Sequence, residues 1–531
     1  MLKKHIFIFQ FLLSFTIYSQ TQSKTSPNEL KLLEVYSHID KSYVDSVNHN
    51  QIADAAIIAM LEKLDPHSTY IPKDEVDDAN EKINGSFVGV GIRFQILKDT
   101  IVVVQTIAGG PSEKLGILSG DKIINIEKKK VAGIGIKNSQ VREKLLGELG
   151  TKVEIEILRK GEKKLLDYTI TRDKIPIFSV DSYYMINDQT GYIKLSSFSK
   201  TSTEEIQKGI KDLKSQGMKN LIFDLQDNGG GLLYTARSVA DEFLSDNKLV
   251  VYSEGRSQPR SDLNSGTKGN WEEGKLIVLI NEHSASASEI VSGALQDWDR
   301  ALIIGRRSFG KGLVQRPINL NDGSQIRLTI ARYYTPSGRF IQKPYDDKDS
   351  YKNDYYERYL NGELSNQDSI KFNDSLRHFT KLNKRIVYGG GGIMPDVFVP
   401  LDTNKMTEFY RKLVRGGYFN SFGLTYVQKN RTQLKKNYQD FVSYKNNFSV
   451  SNELIEDFFQ FVQKEDKEIT INKEEYQKNK KSIDLRLKAM IAQDIWGISE
   501  FYQLFNEEND ILQKAIKTIE SSEFDKFQLK N

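Results

Sequence analysis

Apolar positions recur along this chain with two different periods, and the changes of period divide it. Between residues 27 and 83, apolar residues return every three to four positions in "ELKLLEVYSHIDKSYVD" and "IADAAIIAMLEKL", which predicts a small helical unit ending at the turn "DPHSTYIPKDE". From 84 to 172 the runs shorten to "VGVGIRFQI", "TIVVVQTI", "DKIINIE" and "KVEIEILRKG", divided by Gly-rich turns and one helical piece, "SQVREKLLGEL". This predicts a compact β-rich module. From 173 to 400 strands such as "NLIFDL", "KLIVLI" and "ALIIG" alternate with helices such as "TSTEEIQKGIKDLKSQG" and "SEIVSGALQDW", predicting an α/β layer with parallel strands. Residues 342–386 interrupt it with a polar, Tyr/Asp/Lys/Asn-rich insertion, expected as a mobile lid or a solvated loop. From 401 to 531 the pattern is helical, and Leu487, Ile491, Ile495 and Ile498 form a stripe that reads as core packing.

The start, "MLKKHIFIFQFLLSFTIYSQ", has a short basic segment, an apolar stretch broken by Gln10, then small and polar residues. It predicts a signal peptide over 1–19, because the run falls short of the ~20 apolar residues of a spanning helix. The mature chain is expected to be exported, most simply to a periplasm, with no membrane span. The absence of cysteine excludes disulfides, a thiolate nucleophile, a zinc–thiolate site and a lipidated cysteine. With 75 basic against 71 acidic residues, the net charge of +4 is spread along the chain and gives no reason to expect nucleic acid. A length of 531 residues suits three or four units.

Candidate chemistry gathers in "NEHSASASEI", with serines at 284, 286 and 288. A serine needs a base, and His283 lies too near Ser286 in a tight turn, while no G-x-S-x-G elbow occurs. The other candidate base is Lys311, in "GRRSFGKGLVQ". Gly305 to Lys311 spells a phosphate-loop pattern, but Gly312 replaces the magnesium-holding Ser/Thr and the following residues read as strand. Ser308 and Lys311 form an S-x-x-K pair, yet the accompanying S-D-N precedes it and no K-T-G occurs. The third reading pairs Lys311 through space with a serine of the cluster. Alone, Ser286 and Glu289 also read as a helix capping box, S-x-x-E.

The segment "SASASEIVSGALQDWDRALIIGRRSFGKGLVQ" closely resembles the signature of the C-terminal processing peptidases, or tail-specific proteases. "DPHSTYIPKDE", "DLQDNGGGLL" and "GGGIMPDV" follow the family's order, so the resemblance spans roughly residues 30–400. It implies a nucleophile 25 residues before the lysine, and 311 − 25 = 286 selects Ser286. Lys311 is then the base, Gln315 its orienting group, and Asp297 a polar residue supporting activity. The lysine must be buried to be neutral. The N–H groups of Ala287, at a helix N-terminus, and of Gly230 or Gly231 are the expected oxyanion donors. Gln226, Asp227 and Gly229 depart from the family's usual Arg, Gly and Pro, so a looser loop or a different support is expected there.

By the same resemblance the β-rich module is a PDZ domain. Gly89, Val90, Gly91 and Ile92 would bind a peptide carboxylate, against a helix bearing Val141 and Leu145. The implied fold is a multidomain α/β protein: a crotonase/Clp-protease-like serine protease core (173–400) with an inserted PDZ domain (84–172), flanked by N-terminal (27–83) and C-terminal (401–531) helical regions. The expected activity is endopeptidic, without metal or cofactor, on proteins with free apolar C-termini. A homo-oligomer or adaptor stays open, and the rival reading is an inactive PDZ-containing peptide-binding scaffold.

Overall fold

The runs that read as parallel strands do assemble that way. The computed structural model describes residues 26–529 except 108, 246, 267, 372 and 403–406, so the signal peptide expected at 1–19 lies outside the described residues. Its central sheet has the order Val180–Met185, Thr190–Leu195, Asn220–Asp224, Lys275–Ile280, Leu302–Gly305, Val397–Phe398. The first pair is antiparallel and the others are parallel.

These strands are apolar on both faces because both are covered. Leu221, Phe223, Val278, Ile280 and Ile303 pack with residues of the helices Ser202–Ser215, Leu233–Asp241 and Ala287–Asp297. The alternate positions Ile222, Ile277, Leu279, Leu302 and Ile304 pack with Ile511, Leu512, Ala515 and Ile519 of the helix Asp510–Ile519, and with Phe524. Each large apolar side chain so buried contributes about 1.5–3 kcal/mol. The 401–531 region is therefore not one domain: its last part completes the central sheet, whereas Phe409 to Leu504 build a separate helical core. Leu487 and Ile491 join that core, but Ile498 opens a new helix, Ile498–Phe505, and is exposed.

A second sheet is organised by the long strand Gln325–Tyr334, which pairs with Thr69–Ile71, Leu249–Gly255 and Leu313–Asn319. It carries the turn after Gly305 and the segment before Thr69. The expected 27–83 helical unit is correspondingly divided. The helices Pro27–Ser42 and His49–Glu62 lie in a compact unit ending at Lys63, and the chain from Leu64 onward forms the other.

The β-rich module is an antiparallel sheet, Ile92–Ile96, Ile101–Thr106, Lys122–Ile126, Lys152–Leu158, Leu166–Thr171, with Lys129–Lys130 paired to the third strand. Ser86–Gly89 pairs with Asp173–Pro176, so the chain enters and leaves the module side by side, as an insertion requires. C-terminal helices hold its first strand: Arg93 pairs with Asp494 at 2.9 Å and Gln95 donates to Ser421 at 3.4 Å.

The polar insertion is folded, not a solvated loop. It contains the helix Lys348–Leu360 and a hairpin, Arg377–Phe379 with Ile386–Tyr388. Glu363 accepts from both Arg307 (2.6 Å) and the buried Arg358 (2.9 Å), and Arg385 pairs with Asp299 at 2.7 Å. Internal ion pairs fix a segment whose composition reads as solvated.

Candidate active site

Ser286 is the N-cap of the helix Ala287–Asp297 and has φ 56° and ψ −111°. Holding a non-glycine residue in this region costs about 1–3 kcal/mol and persists only where the surroundings enforce it. The other serines are committed: Ser284 Oγ donates to the Leu225 carbonyl at 2.8 Å and Ser288 Oγ to the Asn228 carbonyl at 2.8 Å, and both residues are buried. Ser286 alone of the three is partly exposed. His283 is exposed and stacks on Tyr355, with ring centroids 5.4 Å apart.

Glu289 is more than helix punctuation. Its wholly buried carboxylate accepts from Ser286 N–H at 2.8 Å and from Lys311 N–H at 2.9 Å, Gly310 N–H at 2.6 Å and Ser308 Oγ at 2.6 Å. One side chain thus ties the backbone of Ser286 to the glycine turn around Lys311. Burial raises its pKa, against those hydrogen bonds. The Tyr333 hydroxyl is a second tie, 3.1 Å from the Ser286 carbonyl oxygen and 2.5 Å from that of Lys311. Ser308, of the S-x-x-K pattern, belongs to this scaffold, since its hydroxyl also accepts from Ile393 N–H at 2.6 Å.

Burial pulls the Lys311 pKa below its ordinary value, with Arg327 helping and Glu289 and Asp65 opposing. Lys311 Nζ donates to Gln315 Oε1 at 2.9 Å, and Gln315 Nε2 donates to the His67 carbonyl at 2.7 Å. The lysine is therefore held at its charged end by an amide that is itself held. Asp297, at the far end of the Ser286 helix and ~15 Å from it by helical rise, is not brought to this group. It is fully buried in an ion pair with Arg339 at 2.5 Å and accepts from Ser337 N–H at 2.8 Å, so its place is in the framework.

The glycine loop requires one correction. Gly230 lies against the serine, where an added Cβ would stand 2.8 Å from Ser286 Cβ and 2.9 Å from Ala287 N, and its φ is +100°. Its N–H, however, donates to Asn228 Oδ1 at 2.9 Å, so Gly230 is not an available oxyanion donor. Gly231 bridges Phe198 in parallel register: Phe198 N–H donates to Gly230 O at 3.0 Å and Leu232 N–H to Phe198 O at 2.9 Å. This pattern turns the Gly231 N–H to the opposite side. The loop is not slack despite its unusual residues, because Asp227 N–H donates to Asn281 Oδ1 (3.0 Å) and Asn281 Nδ2 returns a bond to Asp227 Oδ1 (2.9 Å). Beneath it, the buried Lys194 donates to the Gln226 carbonyl at 3.0 Å.

In the β-rich module, Gly91 has φ +74° and its carbonyl accepts from Ile107 N–H at 2.9 Å, while Val90 O accepts from Ser112 Oγ at 2.6 Å. The Gly91–Ile107 bond makes Ile92 and Thr106 a non-hydrogen-bonded pair, so the N–H and C=O of Ile92 face the unpaired edge of the sheet. Ile92 thus lies at the edge where a strand would add, and Gly91 leads into it, whereas Gly89 pairs with Asp173 and Val90 is buried with its carbonyl taken by Ser112. Val141 and Leu145 are corrected: at 0% and 3% exposure they are core residues, because the apolar side of the short helix Asn138–Leu145 turns into the module.

Comparison with known proteins bears on what this arrangement is. Residues 189–349 match peptidase family S41, 88–170 a PDZ domain, 14–75 the N-terminal domain of the activating protease CtpB, and 409–497 a family of unknown function. A carboxy-terminal-processing protease of Bartonella bacilliformis is 37% identical over 357 residues, which is 64% of this chain and 81% of that protein. The chain belongs to the carboxy-terminal processing protease family. The CtpA protease of Bacillus subtilis is 32% identical over 62% of this chain and 70% of its own length, and a probable CtpA-like serine protease of Staphylococcus aureus is 32% identical over 60% and 64%. The protein is accordingly a serine endopeptidase with helical terminal regions around a PDZ-containing core. Sequence reasoning missed Tyr333, the reach of Glu289 to Lys311, and the role of the Asp65–Ser68 turn; Glu289 had a signal in the capping box and the turn in the "DPHS" motif, quoted without a function.

Proposed function

We propose that Ser286 and Lys311 form the catalytic dyad of a protease that selects substrates by their free C-termini. The carrying observation is the buried lysine, lowered in pKa and held by Gln315, in a turn that shares Glu289 and Tyr333 with the strained Ser286. Neutral Lys311 takes the Ser286 proton as Oγ attacks the scissile carbonyl. The oxyanion is received by the N–H groups of Ala287 and Gly231, neither of which is otherwise bonded among the described residues. The lysine returns the proton to the leaving amine, then activates the water that hydrolyses the acyl-enzyme.

The PDZ domain captures the tail as an added strand along Ile92–Ile96, with amides of the Gly89–Gly91 loop on its carboxylate and an apolar terminal residue preferred. The parallel sheet and its helices are consistent with a crotonase/Clp-protease type of core over 173–400. The basic–apolar N-terminus and the family support export to a periplasm, and among the described residues no helix is long and apolar enough to cross a membrane.

The test compares cleavage of an unfolded reporter ending in an apolar residue, as free carboxylate or amide, by wild type, Ser286→Ala and Lys311→Ala. Only the wild type should cut, with the free carboxylate preferred. Activity surviving in either variant overturns the dyad, and indifference to the tail overturns PDZ selection.

A further inference from the structure

The turn Asp65–Ser68 lies 248 residues from Gln315 in sequence, yet it supplies the acceptor that holds the Gln315 amide. Asp65 is buried, and its Oδ1 accepts from His67 N–H (2.8 Å), Ser68 N–H (2.8 Å) and Thr329 Oγ1 (3.1 Å). Its Oδ2 accepts from Ser68 Oγ at 2.7 Å, and that hydroxyl accepts from Thr329 N–H at 3.1 Å. Immediately afterwards Thr69–Ile71 pairs with Gln325–Arg327, so both ends of the turn are fastened to the strand beside Gln315. The His67 ring is fastened too, with Nε2 2.6 Å from the Tyr351 hydroxyl of the polar insertion.

We propose that Asp65 and His67 are positioning residues of the catalytic base, their turn presenting a fixed carbonyl that decides which end of the Gln315 amide faces Lys311. This rests on the reading of Lys311 as base. A carbonyl accepts only from Nε2, so Oε1 must turn to the lysine. With the amide reversed, Nε2 would donate into the lone pair that has to remove the Ser286 proton. The His67 carbonyl thus keeps that lone pair free.

The charged groups acting on the lysine are Glu289, Asp65 and Arg327; those acting on His67 are Lys311, Asp65 and Lys343. Asp65 holds the lysine pKa up against burial, so loss of its charge lets that pKa fall further. The base works deprotonated, and the acid limb of the rate profile therefore moves to lower pH when Asp65 is neutralised.

The experiment measures kcat, KM and pH profiles of the full-length mature enzyme on the unfolded reporter for Asp65→Ala, Asp65→Asn, Gln315→Ala, the Asp65→Ala/Gln315→Ala double variant, and Lys311→Ala. Asp65→Ala should lower kcat by about 10²-fold, the scale of a 1 Å misplacement, with KM little changed. Asp65→Asn, which keeps the Oδ1 acceptor, should restore most of kcat while shifting the acid limb downward. In the Gln315→Ala background, Asp65→Ala should lower kcat no further, although the acid limb still moves. An equal loss in both backgrounds, or wild-type kcat in Asp65→Ala, overturns the proposal while leaving Lys311 as base. If Asp65→Ala does not fold, Thr329→Ala, which removes a donor to Asp65 Oδ1, takes its place in the cycle: a kcat loss that vanishes in the Gln315→Ala background supports the proposal, and an equal loss in both backgrounds overturns it. An active Lys311→Ala overturns the dyad itself and this inference with it.

Discussion

Glu289→Gln tests whether one carboxylate couples the two halves of the proposed dyad. The carboxylate serves four donors, and glutamine retains one oxygen able to serve two. If its NH2 replaces Oε2, the N–H groups of Ser286 and Lys311 are both orphaned. If it replaces Oε1, Gly310 N–H is orphaned and the Ser308 hydroxyl must reorient, although it already accepts from Ile393. Each buried orphan costs about 1–3 kcal/mol, and the surviving hydrogen bonds lose charge assistance of about 1 kcal/mol each. Removing a desolvated carboxylate offsets part of this, leaving a net loss of about 2–4 kcal/mol. Because either orientation releases groups that fix Ser286 or the turn bearing Lys311, kcat/KM should fall by about 10²-fold. Urea unfolding followed by circular dichroism, with reporter cleavage on the same preparations, measures both. Stability within about 0.5 kcal/mol of wild type together with activity within about threefold would refute the coupling.

Tyr333→Phe removes the hydroxyl between the Ser286 and Lys311 carbonyls and should cost about 1–2 kcal/mol, with kcat falling more than KM changes, as steady-state kinetics will show. Gly231→Ala drives a Cβ into the Phe198 backbone carbonyl at φ +152°, so it should abolish cleavage and lower thermal stability, whereas tail-peptide binding measured by fluorescence anisotropy should survive. Asp494, facing Arg93 and Arg431, has its pKa raised by burial to about 6, above its value in the unfolded chain. Its stabilising contribution is therefore full below about pH 4 and lost as pH rises through about 6, a difference of about 3 kcal/mol. Urea curves of wild type and Asp494→Asn should differ in pH dependence within that window, and parallel curves would exclude the linkage.

What could be read from sequence was whatever obeys local or fixed spacing. The helix start at Ala287 and the strand after Gly312 are of this kind, whereas the choice of Ser286 as partner of Lys311 came from the family resemblance. Contacts closed through space were illegible. Ser286 and Glu289 spell a capping box whether or not the carboxylate also reaches Lys311, and nothing near Gln315 announces a partner at His67. Gly230 showed a glycine's freedom but not that Asn228 had taken its N–H. Val141 and Leu145 showed helical spacing but not how deeply a two-turn helix sinks. The insertion read as solvated because charges count as surface, until Arg358 and Glu363 find each other inside.

The helix Asp510–Ile519 has a consequence for how the enzyme is made. Ile222, Ile277, Leu279, Leu302 and Ile304 form an apolar face whose partners Ile511, Leu512, Ala515 and Ile519 come from a segment about 200 residues further along the chain. Until Ile511 to Phe524 have left the ribosome, the catalytic sheet keeps one bare, adhesive side. Completion of the sheet therefore waits for a segment distant in sequence, and a chain cut short before Ile511 is a client for chaperones before it is a hazard to its neighbours.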